Sequence, residues 1–225
     1  MRMWKAAAPD WVFDLDNTLY PASSTMYDIV GKRMTDYVAR VTGLDAVEAE
    51  RLQDHYHLHY GATVIGLVRH HAVDAHDFLH YVHEVDASVV DPDPALDALL
   101  TRLPGRKLVF TNGGGGHAER VVERLGCAHH FEHLFDIETA GLVPKPQRGA
   151  YEALISTCGI DPANAIFVED TMRNLEPAHE LGFATVLVGA VHPEPRPAYV
   201  HHYTHDLKHF LAAWLDGVAP ASAST

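Results

Sequence analysis

The sequence predicts an α/β protein: a doubly wound parallel sheet interrupted by an all-helical insertion. Three observations carry that reading. An apolar run, Trp11-Val12-Phe13, ends in two closely spaced carboxylates, Asp14 and Asp16. Between Tyr20 and Leu103 no strand-like run occurs, and apolar residues recur instead at helical spacing. From Lys107 onward strand-like tetrapeptides alternate with loops and helical stretches, the grammar of βαβ units.

Trp11, Val12 and Phe13 are aromatic or β-branched and uncharged, which suits a short strand buried on both faces. Asp14 falls where that strand emerges, at the edge where open α/β sheets bind ligands. Met26, Ile29, Val30, Tyr37, Val38 and Val41 then trace one face of a first helix, stopped by Gly43. Asp45 with Glu48 reads as an N-cap and its N3 acid, opening a second helix that ends at Gly61. A third covers 62–71. Asp74 caps a fourth with Phe78, Leu79 and Val82 inward, and Asp93-Pro94 opens a fifth with proline at its first position. The second half gives strands at 108–111, 135–137, 165–168 and 185–188, with helices at 117–125, 148–158, 175–181 and 205–215. Gly126 and Gly182 close two of them. The expected division is a core of 1–20 and 92–218, a helical cap of 21–91, and a flexible Ala/Ser/Pro-rich tail at 219–225.

The chain has 225 residues, 47% of them hydrophobic, enough for one sizeable domain with an insertion. The formal net charge of −13 becomes about −9 when 18 histidines are each taken as about a quarter protonated at pH 7. That field disfavours nucleic acid as a partner, and any phosphate substrate would need local positive charge. Cys127 and Cys158 make no disulfide framework, and neither a signal-peptide core nor a membrane span is visible. A cytoplasmic enzyme with no membrane partner is therefore expected; oligomeric state is left open.

Asp14 and Asp16 lie two apart, so on an extended chain their side chains point the same way. Neighbouring carboxylates raise each other's pKa unless a cation intervenes, and a hard dication such as Mg²⁺ would resolve that conflict. A simple Asp/Asn turn is the alternative. Thr111 and Asn112 end a strand and precede Gly113 to Gly116, placing a hydroxyl, an amide and open backbone N–H groups before a helix, as an anion site requires. The later glycines also read as a connector. Lys145, between Pro144 and Pro146, is a point charge with restricted reach, or an ordinary loop lysine. Glu169 and Asp170 follow their own apolar run, completing an oxygen-rich metal site or, for Asp170, capping the next helix.

Asp14-Leu15-Asp16-Asn17-Thr18, Leu108-Val109-Phe110-Thr111-Asn112, Lys145-Pro146, and Val168-Glu169-Asp170 with Asn174 resemble, in order, the four motifs of the haloacid dehalogenase superfamily. The resemblance spans 11–188 and implies a Rossmann-like core, an inserted helical cap and a Mg²⁺-dependent aspartyl-phosphate mechanism. It implies Asp14 as nucleophile and Asp16 as general acid, then base. Mg²⁺ would be held by Asp14, the Asp16 carbonyl and Asp170, with Glu169 a candidate ligand through water. Thr111, Asn112 and Lys145 would bind the substrate phosphate. An acid two residues after the nucleophile separates phosphate-ester enzymes from dehalogenases.

Phe13 to Pro21, Tyr60-Gly61 with Gly66-Leu67, and Thr111-Asn112 leading to His117-Ala118 and Arg120-Val121 look like the pyrimidine 5′-nucleotidase branch. That resemblance implies pyrimidine nucleoside monophosphates as substrates, with Tyr20, Tyr60 and His117 as candidate base contacts. The alternatives are a broad sugar-phosphate or phosphoglycolate phosphatase and a non-catalytic ligand sensor. His76, His80 and His83 have metal-pair spacing on a helix, but solvated or hydrogen-bonded cap histidines are the better reading.

Overall fold

The computed structural model describes residues 8–189 and 194–217, so the expected tail at 219–225 lies outside the described residues. Strands β1 (Asp10–Phe13), β2 (Lys107–Phe110), β3 (His133–Phe135), β4 (Ala165–Glu169), β5 (Ala184–Val188) and β6 (His202–Thr204) form one sheet. Its order is β3-β2-β1-β4-β5-β6, and every neighbouring pair is parallel. Chain direction across the sheet reverses at β1 and β4, so their carboxyl ends open onto the crevice of a doubly wound fold.

Between β1 and β2 run α1 (Met26–Thr42), α2 (Ala46–Tyr60), α3 (Thr63–His71), α4 (Ala75–His83) and α5 (Pro94–Arg102). The rest are α6 (His117–Leu125), α7 (Arg148–Cys158), α8 (Met172–Leu181) and α9 (Leu207–Leu215). Their starts follow local chemistry. Asp45 accepts from the Val47 and Glu48 amides, Asp74 from Asp77, and Asp93 from Leu96, each satisfying N–H groups that a helix start leaves open. Gly43, Gly61, Gly126 and Gly182 close helices in the left-handed conformation that glycine adopts without a Cβ clash.

Alternate residues of β1 serve opposite layers. Trp11 and Phe13 pack with Leu96, Leu100, Val121, Val122 and Phe210 of α5, α6 and α9; Val12 packs with Tyr151, Leu154 and Leu175 of α7 and α8. Burial on both faces is why this strand reads as a continuous apolar run. A third cluster, with Tyr37, Val38, Tyr56, Leu67, Phe78 and Val82, is the cap's own core, and Ile137 joins it from the other side. Met26 and Val30, in the first turns of α1, pack instead with the β1 cluster and tie the cap's entrance to the sheet.

Four details depart from the expectations. β3 ends at Phe135, where its carbonyl takes the Thr111 amide at 3.0 Å, and Ile137 leaves the sheet for the cap cluster. α8 begins at Met172, before the expected 175, and accommodates Pro177 although that residue has no N–H for the helix. β6, only His202-Tyr203-Thr204, has too little apolar run to announce itself, and α9 starts at Leu207 behind an Asp206 cap rather than at 205.

Candidate active site

β1 and β4 run in register with Phe13 opposite Val168, and the Asp14 amide donates to the Val168 carbonyl at 2.9 Å. The pairing sets Asp14 beside Glu169, where the two strands end. Lys145, 1% exposed, enters between them. Its Nζ donates to Asp14 Oδ1 at 2.7 Å, Glu169 Oε2 at 2.8 Å and the Phe110 carbonyl at 2.7 Å, using all three ammonium hydrogens. The rings of Phe110 and Phe167 flank the ammonium at 5.0 and 5.5 Å.

Carboxylate oxygens of Asp14, Glu169 and Asp170 lie within 4.8 Å of one another. One lysine therefore faces three acids, two of them buried and Asp170 half-buried. Burial, then the charge of Glu169, push Asp14 up to about 7 despite Lys145. Burial likewise pushes Glu169 to about 7, with Asp170 adding to it, and burial followed by Asp14 raises Asp170. For Lys145 burial opposes the charged form, but Asp14 and Glu169 outweigh it and hold the ammonium above its ordinary range. An all-oxygen donor set with uncompensated negative charge fits a hard dication of the Mg²⁺ type.

Asp16 lies in a different environment. Asn17 takes a positive φ of 63°, a conformation Asn tolerates, and the Thr18 and Leu19 amides turn back onto the Leu15 carbonyl. The turn brings the Tyr20 hydroxyl onto Asp16 Oδ1, and His117 Nε2, from the first residue of α6, meets the same oxygen at 2.7 Å. Burial alone would raise Asp16; His117 and Tyr20 outweigh it and hold the carboxyl at about 2. His83 of α4 stacks on His117 with ring centroids 4.6 Å apart, donating its own Nδ1–H to the Leu79 carbonyl at 2.9 Å. Burial lowers His83 to about 3, keeping it neutral.

Thr111, 1% exposed, accepts the Gly113 amide at 2.9 Å, which leaves its hydroxyl hydrogen available to an anion. Asn112 instead brackets Lys145, accepting its amide at 2.8 Å and donating to its carbonyl at 3.0 Å. The later glycines make room for the cap: a Cβ on Gly114 would stand 2.9 Å from Glu138 Oε2 and 3.0 Å from Leu79, and one on Gly115 would stand 3.1 Å from the His80 backbone. The Gly115 amide donates to Glu138, which also holds His76 of α4.

Of the candidate base contacts, Tyr20 and His117 are 1% and 2% exposed and spent on Asp16, so neither faces a substrate base. Tyr60 is occupied at the cap junction, its hydroxyl paired with His70 and its carbonyl with Gln147. The helix histidines divide as well, His76 pairing with Glu138 and His83 stacking on His117. The sequence reading missed Tyr27, at the start of α1. It is 44% exposed, and its phenol is pushed to about 12 by partial burial, then by Asp16 and Asp170. Its only sequence signal is its place shortly after the acid motif. Beside the acid pair, Asn174 Oδ1 is buried without a hydrogen-bond partner among the described residues.

The family model for haloacid dehalogenase-like hydrolases matches residues 12–182, and the chain belongs to that family. Among individual proteins it is similar to phosphate metabolism protein 8 of Saccharomyces cerevisiae, 32% identical over 194 residues, 78% of this chain and 60% of the yeast protein. It thus spans less than two thirds of that relative's length. It is also 28% identical over 205 residues to N-acetylmuramic acid 6-phosphate phosphatase of Pseudomonas aeruginosa, covering 84% of this chain and 85% of that one. The fold is shared with CbbY of Rhodobacter sphaeroides, solved with xylulose 1,5-bisphosphate, at a TM-score of 0.62, 15% identity, and coverage of 88% and 93%. No helix among the described residues is long and apolar enough to cross a membrane, and both cysteines are free and buried.

Proposed function

We propose that the chain is a Mg²⁺-dependent phosphatase that hydrolyses small phosphomonoesters through a phosphorylated Asp14, with sugar phosphates and phosphoglycolate the favoured class. The observation that carries this reading is the buried set of Asp14, Glu169 and Asp170 around Lys145, with Asp16 held separately beside it. Residues 21–91 act as the cap over a core formed by 1–20 and 92–218.

Lys145 occupies Oδ1 of Asp14, leaving Oδ2 to react. A lone pair on that oxygen forms a bond to phosphorus while the ester P–O bond breaks; its electron pair leaves on the alcohol oxygen, which takes a proton that the monoanionic ester delivers through Asp16 Oδ2. Water then attacks the phosphorus, giving its proton to Asp16, which passes it to the released phosphate, and the Asp14–phosphorus bond breaks with its electrons returned to the carboxylate. Thr111 holds a phosphoryl oxygen; the Lys145 ammonium, its hydrogens taken by Asp14, Glu169 and the Phe110 carbonyl instead of by the phosphate, adds positive charge beside it, and Asn112 fixes the Lys145 backbone. Asp14, Asp170 and the Asp16 carbonyl would hold Mg²⁺, with Glu169 a ligand through water. When bound, the ion supplies charge neutralisation for the acids and the phosphoryl group.

The sugar-phosphate preference draws on the likeness to the Pseudomonas phosphatase and on the engagement of Tyr20 and His117 with Asp16. The pyrimidine nucleotide reading rests on the motif likeness around Thr111-Asn112 and His117-Ala118. Phosphate release from N-acetylmuramic acid 6-phosphate, glucose 6-phosphate, phosphoglycolate, UMP and CMP, with Mg²⁺ or EDTA, separates them. Turnover of the sugar esters that vanishes with EDTA and in Asp14→Asn supports the proposal. Turnover confined to UMP and CMP would transfer the assignment to the nucleotidase branch, and none with any ester would overturn it.

A further inference from the structure

Two buried donors converge on one oxygen of Asp16. Tyr20 and His117 Nε2 both take Oδ1, and among the described residues no protein donor reaches Oδ2. Oδ1 already accepts the Tyr20 hydroxyl, so Nε2 of His117, on the same oxygen, carries the hydrogen it donates. A short side chain held at one oxygen by two rigid rings has its other oxygen aimed.

The His117 ring is itself built into place. It is 2% exposed, at the first position of α6, directly after the glycine run. A Cβ on Gly113 would lie 3.2 Å from its Cδ2, so glycine there lets the ring approach the strand end. On the cap side His83 stacks on it, and Arg120, one turn along α6, donates to the His83 carbonyl at 2.9 Å. The contact joins α4 of the cap to α6 of the core at the residue that touches Asp16.

We propose that His117 is a positioning residue for the general acid: with Tyr20 it pins Oδ1 of Asp16, and the cap residue His83 holds its ring, so that Oδ2 is presented to the leaving oxygen of the ester. The assignment rests on the phosphatase reading above. It distinguishes an orienting role from a merely structural one, because a misplaced acid matters only where the leaving group needs a proton. An alkyl alcohol departs as a strong base and needs one; 2,4-dinitrophenolate does not.

The test compares kcat/KM for glucose 6-phosphate and 2,4-dinitrophenyl phosphate in wild type, His117→Ala, His117→Gln and Asp16→Asn, with Mg²⁺. kcat/KM runs only as far as phosphorylation of Asp14, so the later role of Asp16 as base does not enter. The ratio of the two values is independent of how much of a variant is folded. His117→Ala is expected to lose about 30-fold on the alkyl ester but no more than about 3-fold on the aryl ester, a partial version of the general-acid loss expected in Asp16→Asn. His117→Gln, which restores an N–H donor, is expected to keep a ratio near that of wild type. An unchanged ratio in His117→Ala, with wild type active on both esters, would overturn the assignment while leaving the phosphatase reading intact. Wild type inactive on both esters, or Asp14→Asn as active as wild type, would overturn the phosphatase reading and this inference with it.

Discussion

Asp14 and Asp16 are separated by a single residue, Leu15, yet the molecule treats their carboxylates in opposite ways. Asp14 shares one lysine with Glu169 and lies against Asp170, and burial with this excess of acids lifts it to about 7. Asp16 is buried as well, but His117 and Tyr20 outweigh the desolvation and hold it at about 2. The donors around each carboxylate, more than its depth, decide which is short of positive charge. A cation belongs with the first and a fixed orientation with the second.

The largest effect that sharpens this contrast is on stability. Lys145→Met leaves Asp14 and Glu169 buried without their shared cation, and removing one partner of a buried pair costs about 3–5 kcal/mol. Urea unfolding in EDTA at pH 8 should show a loss of that order, partly recovered by Mg²⁺. An unchanged midpoint would mean that the lysine does not hold the acids together.

Next comes the response to pH. Asp14 and Glu169 have folded-state values near 7, above their ordinary range, so the stability they contribute is present at low pH and lost as pH rises through about 7. Mg²⁺ takes the place of those protons, so its thermal stabilisation should be larger at pH 8 than at pH 5. At a hundredfold excess over Kd the gain at pH 8 would be about 2.7 kcal/mol. An equal gain at both pH values would break the assignment of the cation to the Asp14 side.

The smallest effect is on the Asp16 side. Tyr20→Phe removes one of two donors from Oδ1 and should cost about 1 kcal/mol of transition-state stabilisation for alkyl esters, several-fold in kcat/KM, with thermal stability little changed. A loss equal to that of His117→Ala would show that the two donors are not separable.

Much of the Asp14 side was legible in the sequence because its signals are local. An acid directly after a strand-like run, a lysine between prolines and a second acid pair after a second run all identify themselves without knowledge of strand order. The Asp16 side was not, because His117 reaches Asp16 across a hundred residues of chain and His83 arrives from the cap. The glycine run shows the same limit. Gly113 to Gly116 suggest an anion loop or a connector, whereas the reason for Gly114 and Gly115 is the close approach of α4. β6 was hidden by its three-residue length, and β3 was displaced because its partner on β2 decides where it ends.

The central claim, that Asp14 carries the phosphoryl group, is tested most directly by borohydride trapping. Enzyme mixed with glucose 6-phosphate and Mg²⁺ is quenched, reduced and digested, and the peptide containing Asp14 is read by mass spectrometry. An acyl phosphate at Asp14 would be reduced to homoserine at that position, only when substrate is present and not in Asp14→Asn. Phosphate release with Asp14 unmodified, or homoserine at another acid, would contradict the account.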